Sequence, residues 1–137
     1  MELLNSKDSL GGEIIGIDLS QTLNPQELAY INKSWDERLV LLFKKQNLND
    51  LELINFSKNF GELDPPGPNP YGVKFFPEFP EINVISNVKN NEGVPIGNLG
   101  DGEAVWHADM TYQEIPPKAG ILYALEVPYN QGNTHFA

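Results

Sequence analysis

Two residues in this 137-residue chain have the types and spacing to hold a metal ion. His107 and Asp109 lie two apart in Trp106-His107-Ala108-Asp109. On an extended strand, positions i and i+2 face the same side, so an imidazole and a carboxylate can converge there. Nitrogen and oxygen donors suit Fe(II). A site of two histidines and one carboxylate on one face leaves coordination positions open for substrate and oxygen. His and Asp also serve Zn(II) or Mn(II). In every case the third ligand has to come from elsewhere. Alone, His-x-Asp is a weak signal. With two histidines and 19 acidic residues in the chain, about one chance match in four is expected.

The elements that must position this pair read as two early helices followed by β-structure. Glu13–Ile17 has the pattern of a short strand. Asn24-Pro25-Gln26-Glu27 is a helix start, with a capping asparagine, a proline suited to the first turn and an acid placed for a capping box. Leu28, Ile31 and Trp35 follow at helical spacing and mark its core face. Leu39–Phe43 reads as a buried strand. A second helix start falls at Asn49 with Glu52 three residues on. Leu51, Leu53 and Ile54 supply its apolar positions, Phe56 and Phe60 continue it, and Gly61 suits a left-handed cap. Residues 64–80 form a proline-rich loop that fits neither a helix interior nor a central strand. Beyond it, strands are expected at Ile82–Asn87, Ala104–His107, Ala119–Val127 and Thr134–Ala137, with a Gly-rich loop over 90–102. The expectation is an α+β chain, mainly β.

Composition narrows the function classes. A hydrophobic share of 40% with 20% charged residues is that of a globular domain, and the length suffices for one domain and not two. The formal charge of -10 disfavours nucleic acid and anionic membranes, which are bound by neutralising phosphate with Lys and Arg. There is no cysteine, hence no disulfide framework, thiolate metal site or cysteine nucleophile. The N-terminus has no secretory pattern, so the expected location is the cytoplasm. Arg38, the one arginine, reads as a cation at a helix end.

Longer motifs change the weight of His107 and Asp109. The stretch from Asn98 to Tyr112 runs on to Pro116-Pro117, then through Glu126-Val127-Pro128 to Gly132-Asn133-Thr134. It resembles the taurine dioxygenase (TauD/TfdA) family, which carries Trp-His-x-Asp, a Pro-Pro turn, a strand, and Gly-x-Thr about 25 residues after the metal histidine. Leu10–Leu19 is similar to the family's opening strand, and Phe60-Gly61-Glu62-Leu63 to its landmark after the second helix. The resemblance covers nearly the whole chain in one order.

The resemblance implies a Fe(II)- and 2-oxoglutarate-dependent dioxygenase built on an incomplete double-stranded β-helix (jelly roll). His107 and Asp109 match the first two iron ligands, and Thr134 matches the threonine that hydrogen-bonds a carboxylate of 2-oxoglutarate. Trp106 is expected to pack beside the site. Tyr71 and Asn98 are candidates for touching substrate, and the loops 64–80 and 88–103 for a lid. The partners implied are a small-molecule substrate, 2-oxoglutarate and O2, with homo-oligomerisation at full length left open.

Two departures from the family pattern matter. Its second iron histidine and the arginine that clamps 2-oxoglutarate lie much further along. His135 and Arg38 do not occupy those positions. Residues 1–137 are therefore expected to be the N-terminal portion of a single such domain, truncated before those two groups. The taurine enzyme also has a substrate-binding histidine after the Phe-Gly-Glu-Leu landmark, where this chain has Asp64-Pro65-Pro66-Gly67. That puts taurine in doubt and leaves a small organic acid or related metabolite as the expected substrate. The alternative is an inactive jelly-roll fragment that binds a metal or a partner.

Overall fold

The computed structural model describes residues 1–65, 75–98, 105–130 and 132–137. The chain divides into two compact units, Met1–Phe60 with Leu122–Ala137, and Gly61–Ile121.

The first unit is built on a three-stranded sheet and two helices. Strand β1 (Glu2–Asn5) pairs antiparallel with β2 (Gly12–Ile15), in a register that sets Leu3 opposite Ile14. The chain then enters helix α1 (Pro25–Arg38) and returns as the short strand β3 (Leu41–Leu42), parallel to β2. Sheet order is β1-β2-β3. Helix α2 (Asp50–Ser57) follows, extended by one 3-10 turn at Lys58–Phe60.

Both helix starts form where their local chemistry places them. Asn24 Oδ1 accepts from Glu27 N–H at 2.9 Å, and Glu27 answers by accepting from Asn24 N–H at 2.9 Å. Asn49 and Glu52 make the same reciprocal pair at 2.9 and 2.7 Å. Each box satisfies two backbone donors that a helix start leaves without partners. The end of α2 departs from expectation. Asn59 Nδ2 closes it by donating to the Asn55 and Phe56 carbonyls. Gly61 comes after, with φ +151, a positive value outside the left-handed helical region, so it does not act as the cap.

The core is small and apolar. Ile14 and Ile31 are each 1% exposed and meet Leu19 and Phe56, with Leu3, Ile17, Leu23, Leu41, Phe43, Leu48 and Phe60 packed around them. Phe56 stacks edge-on against both Phe43 and Phe60, at centroid distances of 5.9 and 5.3 Å, a favoured aromatic geometry. Ile31 is buried as its periodicity implies, and Leu28 and Trp35 are half-buried. Leu51 is exposed instead, and Phe56 takes the core position. The strand expected over Leu39–Phe43 is shorter and less buried. Leu41 and Phe43 face in while Leu42 faces out, the alternation of an edge strand.

Arg38 does more than end a helix. Its guanidinium donates to the Gly11 carbonyl at 2.9 Å, the Asp8 carbonyl at 2.6 Å and Ser6 Oγ at 3.2 Å. It thereby pins the β1–β2 turn to the end of α1.

The second unit has helix-free, mostly irregular backbone among its described residues. Ile82–Asn87 is not a strand. It forms one arm of a loose hairpin in which Asn98 N–H donates to Val84 O at 2.8 Å, Ile96 N–H to Val88 O at 3.1 Å and Asn90 N–H to Val94 O at 2.9 Å. Gly97 allows the arms to meet, because a Cβ there would lie 2.8 Å from Ser86 N and Val84 O. The strands expected at Ala104–His107, Ala119–Val127 and Thr134–Ala137 are likewise absent among the described residues, Ala104 lying outside them. The physical reason is general. A strand is stable only when a neighbour takes its N–H and C=O groups, and these segments have no such neighbour among the described residues. Helices of 14 and 8 residues against strands of 4, 4 and 2 make the described chain α+β, with helix outweighing strand. No described helix is long and apolar enough to cross a membrane.

Candidate metal centre

His107 and Asp109 converge, although not by the strand geometry expected of them. The backbone around them is a turn. Met110 adopts φ +51, Gln113 N–H donates to Met110 O at 3.0 Å, and Thr111 Oγ1 donates to Ala108 O at 3.4 Å. Within it, His107 Nε2 lies 3.1 Å from Asp109 Oδ1. Both side chains face solvent, 61% and 73% exposed. The backbone of Gly120 passes beside the other carboxylate oxygen, where an added Cβ would stand 3.8 Å from Oδ2.

The second ring nitrogen decides what this contact is. His107 Nδ1 sits 2.6 Å from the Val105 carbonyl. A carbonyl can only accept, so Nδ1 carries a hydrogen. In the neutral ring Nε2 is then bare, and its lone pair points at a carboxylate oxygen. Two acceptors at that distance need a cation between or beside them, either a proton on Nε2 or a metal ion. The Val105 carbonyl and then Asp109 accordingly raise the His107 pKa above the ordinary value of 6.5. Anchoring one ring nitrogen on a backbone carbonyl while the other is presented outward is also how metal-bound imidazoles are oriented. The donor set therefore fits two positions of an N/O metal site. No cluster of three or more His, Cys, Asp or Glu side chains able to hold a metal occurs among the described residues.

The other candidates are placed as follows. Thr134 is exposed and belongs to the first unit; upstream of it Asn130 and Gly132 have φ +60 and +70. His135 is exposed beside it. Asn98 is half-buried. Its backbone closes the hairpin, its Nδ2 donates to Asn83 Oδ1, and its own Oδ1 is buried with no partner among the described residues. Tyr71 lies outside the described residues, as do parts of both candidate lid loops. Trp106 is 70% exposed, which corrects the expectation that it packs. Sequence reasoning passed over Tyr123 and Gln46. Tyr123 accepts from Leu48 N–H at 2.9 Å, and Gln46 bridges Leu19 N–H and Ile17 O at 2.9 and 3.1 Å. Neither carries a periodicity or motif signal.

The His107–Asp109 pair offers one nitrogen and one oxygen donor on solvent-facing side chains. The family described as Taurine catabolism dioxygenase TauD, TfdA family matches residues 3–137, and the chain belongs to it. It is 32% identical over 127 residues to pentalenolactone F synthase of Streptomyces avermitilis, covering 90% of this chain and 40% of that protein. It is 31% identical over 129 residues to the alpha-ketoglutarate-dependent 2,4-dichlorophenoxyacetate dioxygenase of Cupriavidus pinatubonensis, covering 88% and 44%. The crystal structure of a taurine dioxygenase from Burkholderia xenovorans matches 44% of this chain and 22% of its own, with 31% identity and a TM-score of 0.44. The chain thus spans about two-fifths of the length of the curated relatives it matches.

Proposed function

We propose that residues 1–137 are the N-terminal portion of a single Fe(II)- and 2-oxoglutarate-dependent dioxygenase domain that hydroxylates a small organic acid or related metabolite. The observation that carries this reading is His107 Nε2 lying 3.1 Å from Asp109 Oδ1 while Nδ1 sits on the Val105 carbonyl. Because the chain belongs to a family of dioxygenases, we read this nitrogen and oxygen as two iron ligands. Thr134 then offers its hydroxyl to a carboxylate of 2-oxoglutarate, donating to the anion without adding charge. The third ligand, a histidine, and the arginine that pairs with the far carboxylate belong to residues outside these 137. Tyr71 and Asn98 are assigned to substrate, Asn98 because its Oδ1 is buried and lacks a partner among the described residues.

Iron and 2-oxoglutarate, when bound, supply the oxidising power for attack on an unactivated C–H bond, with succinate and CO2 released. The chain's own contribution is to orient. Val105 fixes the ring tautomer and Asp109 holds its carboxylate toward the ring. Ile82–Asn87, Ala104–His107, Ala119–Val127 and Thr134–Ala137 are the segments assigned to strands of a double-stranded β-helix once paired. The cytoplasm is the proposed location, and no nucleic acid or membrane is required.

The substrate stays at the level of a class. Relatives range in name from a 2,4-dichlorophenoxyacetate dioxygenase to an alkylsulfatase, and a fold hosts many chemistries. For the 137 residues by themselves, a second reading is a metal- or partner-binding module without turnover. An exposed pair with two ligands favours it. The test is succinate formation from 2-oxoglutarate by the protein carried through its downstream coding sequence. Fe(II)-dependent turnover that His107→Ala abolishes is expected. Turnover unchanged by that substitution would overturn the proposal, and turnover by the 137 residues alone would overturn the assignment of the missing ligands.

A further inference from the structure

The two edges of the sheet in the first unit are built differently. On the β1 side, Leu3 N–H donates to the phenolic oxygen of Tyr30, on α1, at 2.9 Å. Tyr30 thereby stands against that edge and blocks strand addition, as covered edges do. On the β3 side, Gly12 N–H donates to Val40 O at 3.0 Å, and Gly12 pairs in parallel with Leu41. In a parallel ladder this turns the N–H and C=O of Leu41 itself away from β2. Neither group has a partner among the described residues.

Edge strands are usually guarded by a proline, a bulge or an outward lysine. Val40-Leu41-Leu42-Phe43 has neither charge nor proline. The lysine next in sequence, Lys44, turns to Glu13 of β2 at 2.7 Å. Both faces of β3 are also apolar. Leu41 and Phe43 pack against the core cluster. On the opposite face Leu42 is 50% exposed, and Leu4, in the same row two strands over, is 42% exposed. A parallel strand that is apolar on both faces has the pattern of a sheet interior.

We propose that the open edge of β3 is a docking site for a strand of the same chain from beyond residue 137, which makes β3 an interior strand of a larger sheet. This rests on the reading of residues 1–137 as the N-terminal portion of a longer domain. The chain covers 40% and 44% of two of its relatives, so a protein of their length has ample chain to supply a strand. A second copy fits less well. β3 paired with its own image would join two residues to two and bury far less than the about 1,200 Å² of a stable interface. A strand of the same chain needs no such area, because its pairing is intramolecular.

The test uses the protein carried through its downstream coding sequence, with a diazirine analogue of leucine at position 42. Illumination should give a cross-link within one chain to a peptide beyond residue 137, identified by mass spectrometry. Cross-links between two chains, cross-links confined to residues 1–137, or capture of water alone would each overturn the proposal. In the same protein the Leu41 amide should exchange with solvent at least about a hundredfold more slowly than in an unstructured chain, as a paired donor does. Exchange at the unstructured rate would overturn it too. Neither readout needs Fe(II) or 2-oxoglutarate. The expected cross-link in a protein that forms no succinate would support the docking and overturn the proposed function alone. Succinate formation without that cross-link would overturn the docking alone.

Discussion

His107 Nε2 faces Asp109 Oδ1 at 3.1 Å, while Val105 O holds the hydrogen on Nδ1. This arrangement leaves Nε2 available to one cation at a time. The carbonyl and then the carboxylate raise the His107 pKa above 6.5, so in the metal-free chain the ring keeps its second proton further toward neutral pH. A metal ion must displace that proton. The sign follows: metal uptake is weak below the raised pKa, strengthens as pH climbs through it, and levels off above. Mn(II) affinity should rise up to about tenfold per pH unit on the lower side, as expected for release of one proton. Titration of the ring by NMR should give a midpoint above the ordinary histidine value, and Asp109→Asn should lower it only in part, because Val105 is the larger cause. A midpoint below 6.5 would contradict the geometry.

Gly97 is predicted to tolerate no side chain. In Gly97→Ala the new Cβ meets Ser86 N and Val84 O at 2.8 Å, and both are backbone atoms that cannot turn aside. Overpacking of this kind costs about 1–3 kcal/mol. The loss should fall on the hairpin of 84–98, read as faster exchange of the Asn98 amide, and Asn98 should move with it.

Ile31 joins α1 to the sheet and is 1% exposed against Ile14, Leu19 and Phe56. Ile31→Val should cost about 0.5–1.5 kcal/mol and Ile31→Ala about 2–5 kcal/mol in chemical denaturation, transfer and cavity effects together. An Ile31→Ala loss below that of Ile31→Val would show that the core described for the first unit is wrong.

Leu39 follows α1 at φ 62 and ψ -30 and is exposed. Its N–H donates to Trp35 O at 2.7 Å and its carbonyl accepts from Trp35 Nε1 at 3.0 Å. Positive φ costs a leucine about 1–2 kcal/mol, and glycine gives back about 0.5–1 kcal/mol in entropy. Leu39→Gly should therefore leave stability unchanged or raise it by about 1 kcal/mol, because both bonds involve backbone atoms of residue 39. A clear drop in the denaturation midpoint would mean that the leucine side chain stabilises this turn.

What was legible in the sequence follows the range of the forces involved. Both helix starts were readable because a capping box is a contact between neighbours, Asn24 with Glu27 and Asn49 with Glu52. Ile31 was readable because α1 has one buried stripe. The strands from residue 82 onward were not, since β-structure depends on partners distant in sequence, and an apolar run such as Ile82–Ile85 reads the same paired or unpaired. The convergence of His107 and Asp109 was expected from strand periodicity and is reached through a turn. Tyr123 was invisible because its hydrogen bond with Leu48 N–H spans 75 positions. Arg38 read as a helix-end cation, and its bonds to Ser6, Asp8 and Gly11 needed the hairpin to be folded first.

The most direct test of the proposed metal ligands His107 and Asp109 uses Mn(II) as a paramagnetic probe of the 137-residue chain near neutral pH. The His107 ring and Asp109 signals should broaden before those of the other acidic residues and of His135, and the selectivity should vanish in His107→Ala. Broadening spread evenly over the acidic surface, or left unchanged by His107→Ala, would contradict the assignment of His107 and Asp109 as metal ligands.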